Sequence, residues 1–150
     1  RQYFLDRMDS IDPTIERRLN AGIDITGVDY YTSVRTLERL NGVVCDKLRH
    51  VDALVVPTVP HTPPTVEEVA DIDDYFAANG LMTQNTQPIN MLALCGVSIP
   101  VALDKAGMPV GLQLVGASGT EERVLSTALA CERHFGTARE RFGVPPLLAG

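Results

Sequence analysis

Cysteine and histidine are the first side chains to test for nucleophilic chemistry in this sequence. Cys95 is the candidate nucleophile, because a thiolate needs only a base within hydrogen-bond reach to become reactive. The candidate bases are His50, His61 and His134. Cys95 stands in the apolar sequence ALCG, which predicts a short helical turn where a small hydrophobe is the ordinary occupant. We therefore interpret Cys95 as a buried thiol.

Serine chemistry needs a nucleophile, a base and hydrogen-bond donors for the oxyanion. The only two lysines are Lys47, on the predicted exposed face of a helix, and Lys105, in a predicted turn. The five serines are isolated, with no Ser-Ser or Gly-Ser-Ser element. The sequence therefore predicts no catalytic residue within this chain.

Metal-site and cofactor patterns are also missing from the sequence. The three cysteines are far apart, form no CxxC pair and have no histidine at zinc-finger spacing. Asp71, Asp73 and Asp74 lack the glycine and the distal glutamate of a calcium loop, so they favour a solvated acidic face. We expect no metal and no cofactor.

Composition narrows the class of protein. The 150 residues are 45% hydrophobic and carry a formal charge of −6, which favours a folded domain and argues against nucleic acid as a partner. No apolar run approaches the roughly 18 residues of a membrane span. We predict no membrane association and a cytoplasmic location.

The densest apolar stretch of the chain, 85–116, predicts a helical turn followed by a β-hairpin. Thr86 and Pro88 are typical of a helix start, and Gly96 is typical of its left-handed stop. Residues 97–103 and 110–115 are rich in apolar and β-branched side chains on either side of a polar turn. The helical turn and the hairpin must therefore position any catalytic or binding side chains.

The segments before this stretch predict two helices, a strand and a short third helix. Asp12 caps the first helix, which we expect to end at Gly22, and Asp29 caps a helix over about 30–49. Its predicted inner stripe recurs at three- and four-residue steps: Val34, Leu37, Leu40, Val44 and Leu48. Residues 51–56 predict a strand buried on both faces, and residues 73–78 a helix stopped by Asn79 and Gly80.

After the hairpin, Ser118 and Glu121 match a capping box that opens a last amphipathic helix closed by Gly136. We predict a single α/β domain over 1–150, a layered α/β/α arrangement with a mixed sheet, and a loosely held tail at 136–150. The predicted inward side chains of the last helix are Val124, Leu125, Ala128, Leu129 and Phe135.

Taken in order, these motifs resemble the C-terminal part of the amidase signature family. The resemblance covers nearly the whole chain, and it rests on the order and spacing of the pieces. They are IERRLNAG (15–22), Asp29-Tyr30, Arg35, VDALVVPTVP (51–60), NTQPINMLALCGVSIPVAL (85–103) and GMPVGLQLVG (107–116).

The resemblance implies a hydrolase that cleaves the carbon–nitrogen bond of a small linear amide through an acyl-serine. Its Lys-Ser-Ser triad would lie upstream and is absent here, so this chain would be a C-terminal fragment that is inactive alone. Unpaired strand edges would then favour self-association, including a homodimer. The alternative is a non-catalytic small-molecule-binding or scaffold module with an amidase-like fold.

The resemblance also implies substrate-binding residues. An arginine of the RR-x-x-x-G helix corresponds to Arg18, and a polar group before the T-x-P-x-N segment corresponds to the run that contains Thr83, Gln84 and Thr86. Amidotransferase A-subunits tend to place an aspartate in this run, and Thr83 stands here instead. That departure favours a neutral or aryl amide. Arg18 could instead satisfy the last carbonyls of its helix.

Overall fold

The computed structural model describes residues 6–7 and 10–144. The chain divides into two compact units, Arg1–Thr36 and Leu37–Gly150. The prediction of one domain over 1–150 stays a prediction. Within residues 10–144 no helix combines the length and the apolar content needed to cross a membrane.

Helix α1, Pro13–Asn20, begins as predicted. The Asp12 carboxylate accepts a hydrogen bond from the Thr14 N–H at 2.8 Å, and proline occupies the first turn, where no N–H partner is needed. The helix ends at Asn20, two residues before the predicted Gly22.

Helix α2, Gly27–Leu48, starts earlier than predicted. Thr26, and not Asp29, caps it: the Thr26 hydroxyl accepts from the Asp29 N–H at 3.1 Å and donates to the Asp29 carboxylate at 2.7 Å. The predicted inner stripe is confirmed, since Leu48 is buried and its four other members are half-buried.

The sheet has three strands, β1 (Leu54–Pro57), β2 (Cys95–Leu103) and β3 (Pro109–Gly116), in the order β1-β3-β2. Both pairings are antiparallel, and β2 and β3 form the predicted hairpin. A bulge between Pro100 and Ala102 shifts the register, so that Ser98 lies opposite Gln113. The α/β class is confirmed.

One face of this sheet is covered by helix α5, Glu121–Phe135. Its buried Val124 and Ala128 pack against Leu114 of β3. Apolar side chains of the sheet and of the helix surround this cluster: Ala53, Cys95, Val97, Ile99 and Cys131. We call this the α5 face. Because strand side chains alternate, Ser98 and Gln113 belong to the opposite face.

The strand predicted over 51–56 is shorter in the structure, and its burial on both faces stays a prediction. Strand β1 is four residues long and lies at the sheet edge, where Leu54 is 45% and Val55 53% exposed. An unbroken apolar run predicts burial on both faces, but it does not say which segment provides the cover.

Two predicted helix stops were also wrong. Helix α3, Ile72–Thr83, runs through Asn79 and Gly80. A single glycine costs a helix about 1 kcal/mol, and 12 residues capped by Asp71 tolerate it. Helix α4, Gln87–Met91, ends before Ala93, which takes the left-handed conformation at φ 49° that we assigned to Gly96.

Gly96 and Cys95 lie instead in β2, so Cys95 is not in a helical turn.

The turn at Ala93 is stabilised by side chains distant in sequence: the Ser118 hydroxyl donates to the Ala93 carbonyl at 2.6 Å, and the Asn41 amide donates to Ser118 at 2.8 Å. The predicted capping box at Ser118 is therefore wrong, because its hydroxyl serves this turn and Thr120 stands at the cap.

The predicted inward face of the last helix needs one correction. Leu125, Leu129 and Phe135 were predicted inward, but each is about half exposed. Gly136 does close α5, as predicted. Helix α6, Ala138–Phe142, then follows, and Arg141 donates to the backbone carbonyls of Pro100 and Val101 in β2. Arg141 thus links α6 to the sheet. The loosely held tail predicted over 136–150 stays a prediction, since 145–150 lie outside the described residues.

Candidate functional site

The predicted binding run begins where α3 ends. The Thr83 hydroxyl donates to the Asn79 carbonyl at 2.8 Å, which ties this side chain to its own helix. Gln84 follows the helix and is exposed, so its amide can reach a ligand. Thr86 is half-buried at the start of α4, and its hydroxyl donates to the Thr83 carbonyl at 3.3 Å.

The fourth residue of this run, Asn85, links it to the sheet. The Asn85 amide nitrogen donates to the Pro57 carbonyl at 2.9 Å, at the end of β1. Because proline has no N–H, Pro57 offers only its carbonyl for such a bond. The run 83–86 is therefore fixed beside the loop that leaves β1.

A hydroxyl pair, Thr58 Oγ1 and Ser98 Oγ, lies next to this attachment. Thr58 follows Pro57 directly, and its backbone N–H donates to the Gly111 carbonyl at 2.9 Å. Its hydroxyl oxygen lies 2.6 Å from that of Ser98, and either oxygen can be the donor. The pair is thus brought together by three segments: the loop that follows β1, strand β2 and strand β3.

Gln113 extends the polar patch across the same face. It is 7% exposed, and its Oε1 atom is buried without a hydrogen-bond partner. It lies opposite Ser98 in the hairpin register. Sequence reasoning missed Thr58, Ser98 and Gln113 as a group; the available signal was one polar residue inside each of two apolar strands.

An apolar groove lies along α3. Its volume is about 150 Å³, and it is lined by Pro64, Val69, Tyr75, Ala78, Asn79 and Met82. Met82 directly precedes Thr83, so an apolar ligand group in the groove would lie along the helix that delivers the predicted run.

Arg18 belongs to the other unit. It lies in the last turn of α1 and is exposed. A cation there complements the helix dipole. The structure does not test Arg18, Thr83, Gln84 or Thr86 as binding residues, and they stay predictions.

The candidate nucleophile Cys95 contacts no base in the described hydrogen bonds. Its thiol donates to the Ala117 carbonyl at 3.2 Å and lies 3.5 Å from the Thr120 hydroxyl oxygen. His61 bonds instead to the neighbouring Thr62 carbonyl, at 2.8 Å from Nδ1. Within the described residues, no three His, Cys, Asp or Glu side chains gather as a metal site.

The turn of the hairpin carries a perturbed carboxylate. The N–H of Met108, together with the Thr62 hydroxyl and the Ala106 N–H, holds the pKa of Asp104 below its usual value of 3.8. The Met108 and Ala106 bonds are both 2.8 Å long. Asp104 therefore stabilises the turn as a carboxylate.

Comparison with known proteins places this arrangement in a family. The family model described as Amidase matches residues 3–125. The chain belongs to the Amidase family. Its fold agrees, since a solved structure described as "Crystal structure of amidase" aligns with a TM-score of 0.74 and 31% identity, over 89% of this chain and 31% of that one.

Two curated relatives show the range of the family. The chain is 32% identical over 146 residues to 2-amino-5-chloromuconic acid deaminase of Comamonas testosteroni, covering 97% of this chain and 32% of the relative. It is 30% identical over 120 residues to fatty acid amide hydrolase of Medicago truncatula, covering 77% of this chain and 19% of that relative. The chain thus spans at most about a third of these relatives.

Proposed function

We propose that this chain is the C-terminal part of an amidase that hydrolyses the carbon–nitrogen bond of a small linear amide through an acyl-serine. The observation that carries the proposal is the family match over residues 3–125. The Lys-Ser-Ser triad would lie outside residues 1–150, as the resemblance implies. The environment of Cys95, bonded to a carbonyl and not to a base, supports a nucleophile elsewhere.

The role of this chain in the enzyme is to form one wall of the substrate pocket. Gln84 is exposed beside the end of α3, Thr86 starts α4, and Asn85 fixes both to the sheet. Thr83, Gln84, Thr86 and Arg18 are the proposed substrate-binding residues. The run 83–86 carries no charged side chain, which supports a neutral amide as substrate.

The test uses the full-length protein and a panel of neutral and charged amides. We expect turnover of neutral linear amides and, for Gln84→Ala, a three- to ten-fold lower kcat/KM, since one hydrogen bond contributes about 0.5–1.5 kcal/mol. Ser126→Ala is the control, because Ser126 is an exposed serine of α5. Unchanged kinetics for Gln84→Ala across the panel would remove it from the site.

The second candidate is a non-catalytic binding module. It is compatible with the same hydrogen bonds: Cys95 and Ser118 both donate to backbone carbonyls, so neither is activated as a nucleophile in this chain. If the full-length protein hydrolyses no amide but binds one by calorimetry, this second candidate replaces the first.

Two properties of the proposed enzyme stay predictions. We place it in the cytoplasm, which cell fractionation tests. The exposed β1 edge supports self-association of the 150-residue chain expressed alone, including a homodimer, which light scattering on that purified chain tests.

A further inference from the structure

The run 83–86 has a single hydrogen-bonded anchor on the sheet within the described chain. The Asn85 amide nitrogen donates to the Pro57 carbonyl, 28 residues away in sequence, at 2.9 Å. The other described hydrogen bonds of the run stay within it or within the helices on either side. The Gln84 N–H donates to the Leu81 carbonyl at 3.2 Å, for example, and the Thr86 N–H donates to the Thr83 carbonyl at 3.1 Å.

The acceptor of this anchor belongs to a fixed part of the backbone. Pro57 pairs with Leu112 in the β1–β3 register, and the next N–H, that of Thr58, donates to the Gly111 carbonyl at 2.9 Å. The proline ring also fixes the φ angle of residue 57. Because the Pro57 carbonyl is held by β3, a side chain that is bonded to it is fixed relative to the sheet.

The anchored residue lies directly beside Gln84, which is proposed to bind the substrate. Gln84 and Asn85 belong to the short connection between the end of α3 and the start of α4, so no continuous helical ladder fixes their backbone. Gln84 is exposed and Asn85 is half-buried. Ordering a connecting segment when a ligand binds opposes binding. The Asn85 bond orders this connection in advance.

We propose that Asn85 is a positioning residue for substrate binding, which acts through Gln84 by bonding the connection to Pro57. The inference rests on the proposed amidase function. It requires the bond to Pro57 and no contact between Asn85 and the substrate. A purely structural bond would differ in one respect: its loss would change kcat/KM by the same factor whether or not Gln84 is present.

The test is a double-mutant cycle on the full-length enzyme with the neutral linear amides. The natural protein, Gln84→Ala, Asn85→Ala and the double variant are assayed below their melting temperatures. We expect Asn85→Ala alone to lower kcat/KM by about three- to ten-fold, the value of one net hydrogen bond, mainly through a higher KM. In the Gln84→Ala background the same change should lower kcat/KM by less than about two-fold.

Asn41→Ala is the matched control. The Asn41 amide also donates to a distant backbone carbonyl, that of Leu92, and Asn41 is half-buried in α2. Asn41→Ala should lower the melting temperature, and its effect on kcat/KM should be the same with and without Gln84. Asn85→Gln keeps an amide donor and should recover part of the lost kcat/KM. If Asn85→Ala does not fold, Asn85→Asp replaces it in the cycle, because a carboxylate of nearly the same volume only accepts hydrogen bonds.

The failure of this inference can be told apart from the failure of the proposed function. If amides are hydrolysed but Asn85→Ala has no effect, or the same effect in both backgrounds, the inference is overturned and the amidase function stands. Coupling to Gln84 that is equally strong for Asn41→Ala overturns it as well, since it would show a general loosening.

If no amide is hydrolysed, the proposed function fails. Calorimetry with the same amides on the four proteins of the cycle then decides the inference. A Kd that Asn85→Ala raises only when Gln84 is present would support it. Additive changes in Kd, or no binding by the natural protein, would overturn it.

Discussion

The two faces of the three-stranded sheet are built on opposite principles. On the α5 face, Leu114, Val124 and Ala128 are buried against one another and need nothing outside the described chain. On the opposite face, Thr58 and Ser98 bond to each other through their hydroxyls, and the buried Gln113 carbonyl oxygen has no partner among the described residues. Val115 also lies on this opposite face and is fully buried, so the polar patch occupies only part of it. Substitutions in the α5 cluster should therefore cost more stability than substitutions in the polar patch.

The largest expected effect is on the α5 face. Leu114 is 1% exposed, and Leu114→Ala should lower the free energy of unfolding by about 2–5 kcal/mol, because a cavity is left in the core. Leu125→Ala on the same layer is the control, since Leu125 is 59% exposed and should change stability much less. Urea denaturation measures both. Equal losses would show that this face is not the core of the unit.

A glycine on each face sharpens the comparison. A methyl group at Gly116 would collide with the Val124 side chain and lie 2.5 Å from the Thr120 hydroxyl oxygen, all within the packed layer. Gly116→Ala should therefore cost about 1–3 kcal/mol. Gly111→Ala meets the Thr58 and Ser98 hydroxyls on the opposite face, and because these small side chains can rotate away it should cost less. A larger loss for Gly111→Ala by denaturation would contradict the division of the faces.

The smallest effect concerns the turn that both faces share. The Met108 N–H and its neighbours lower the pKa of Asp104, so the carboxylate stabilises the folded state above the unfolded pKa near 3.8 and loses this effect as pH falls through the lower folded value. Asp104→Asn should reduce stability at pH 6, and the difference from the natural protein should shrink below about pH 4. Parallel stability curves from pH 2 to pH 7 would exclude this role.

Local signals in the sequence predicted the parts of the fold that local physics decides. The Asp12 cap, the inner stripe of α2 and the hairpin depend on residues close in sequence, and all three are confirmed. Burial of strand β1 is not decided locally, because it depends on partners distant in sequence. The stops at Gly80 and Gly96 failed because a glycine permits a left-handed turn without requiring one.

The polar patch could not be predicted from the sequence because its assembly depends on a bulge. Counting back from the Leu103–Pro109 pair without the bulge would place Ser98 opposite Leu114, next to the apolar core. The extra residue moves Ser98 opposite Gln113 instead. Thr58 joins them only through the β1–β3 pairing, which no local pattern encodes. Of the predicted binding residues, the run 83–86 was identified through the family resemblance alone.

The most direct test of the central claim is to locate the acyl group on the full-length protein. The protein is incubated with an activated ester that acylates serine and cysteine nucleophiles, quenched in acid and digested, and the acylated peptide is found by mass spectrometry. We predict a single stoichiometric acyl-serine outside the sequence 1–150, and none on Cys95 or on the five serines of this chain. Stoichiometric acylation of Cys95 or of a serine within 1–150 would contradict the proposal that this chain forms the substrate wall and leaves the chemistry to the rest of the enzyme.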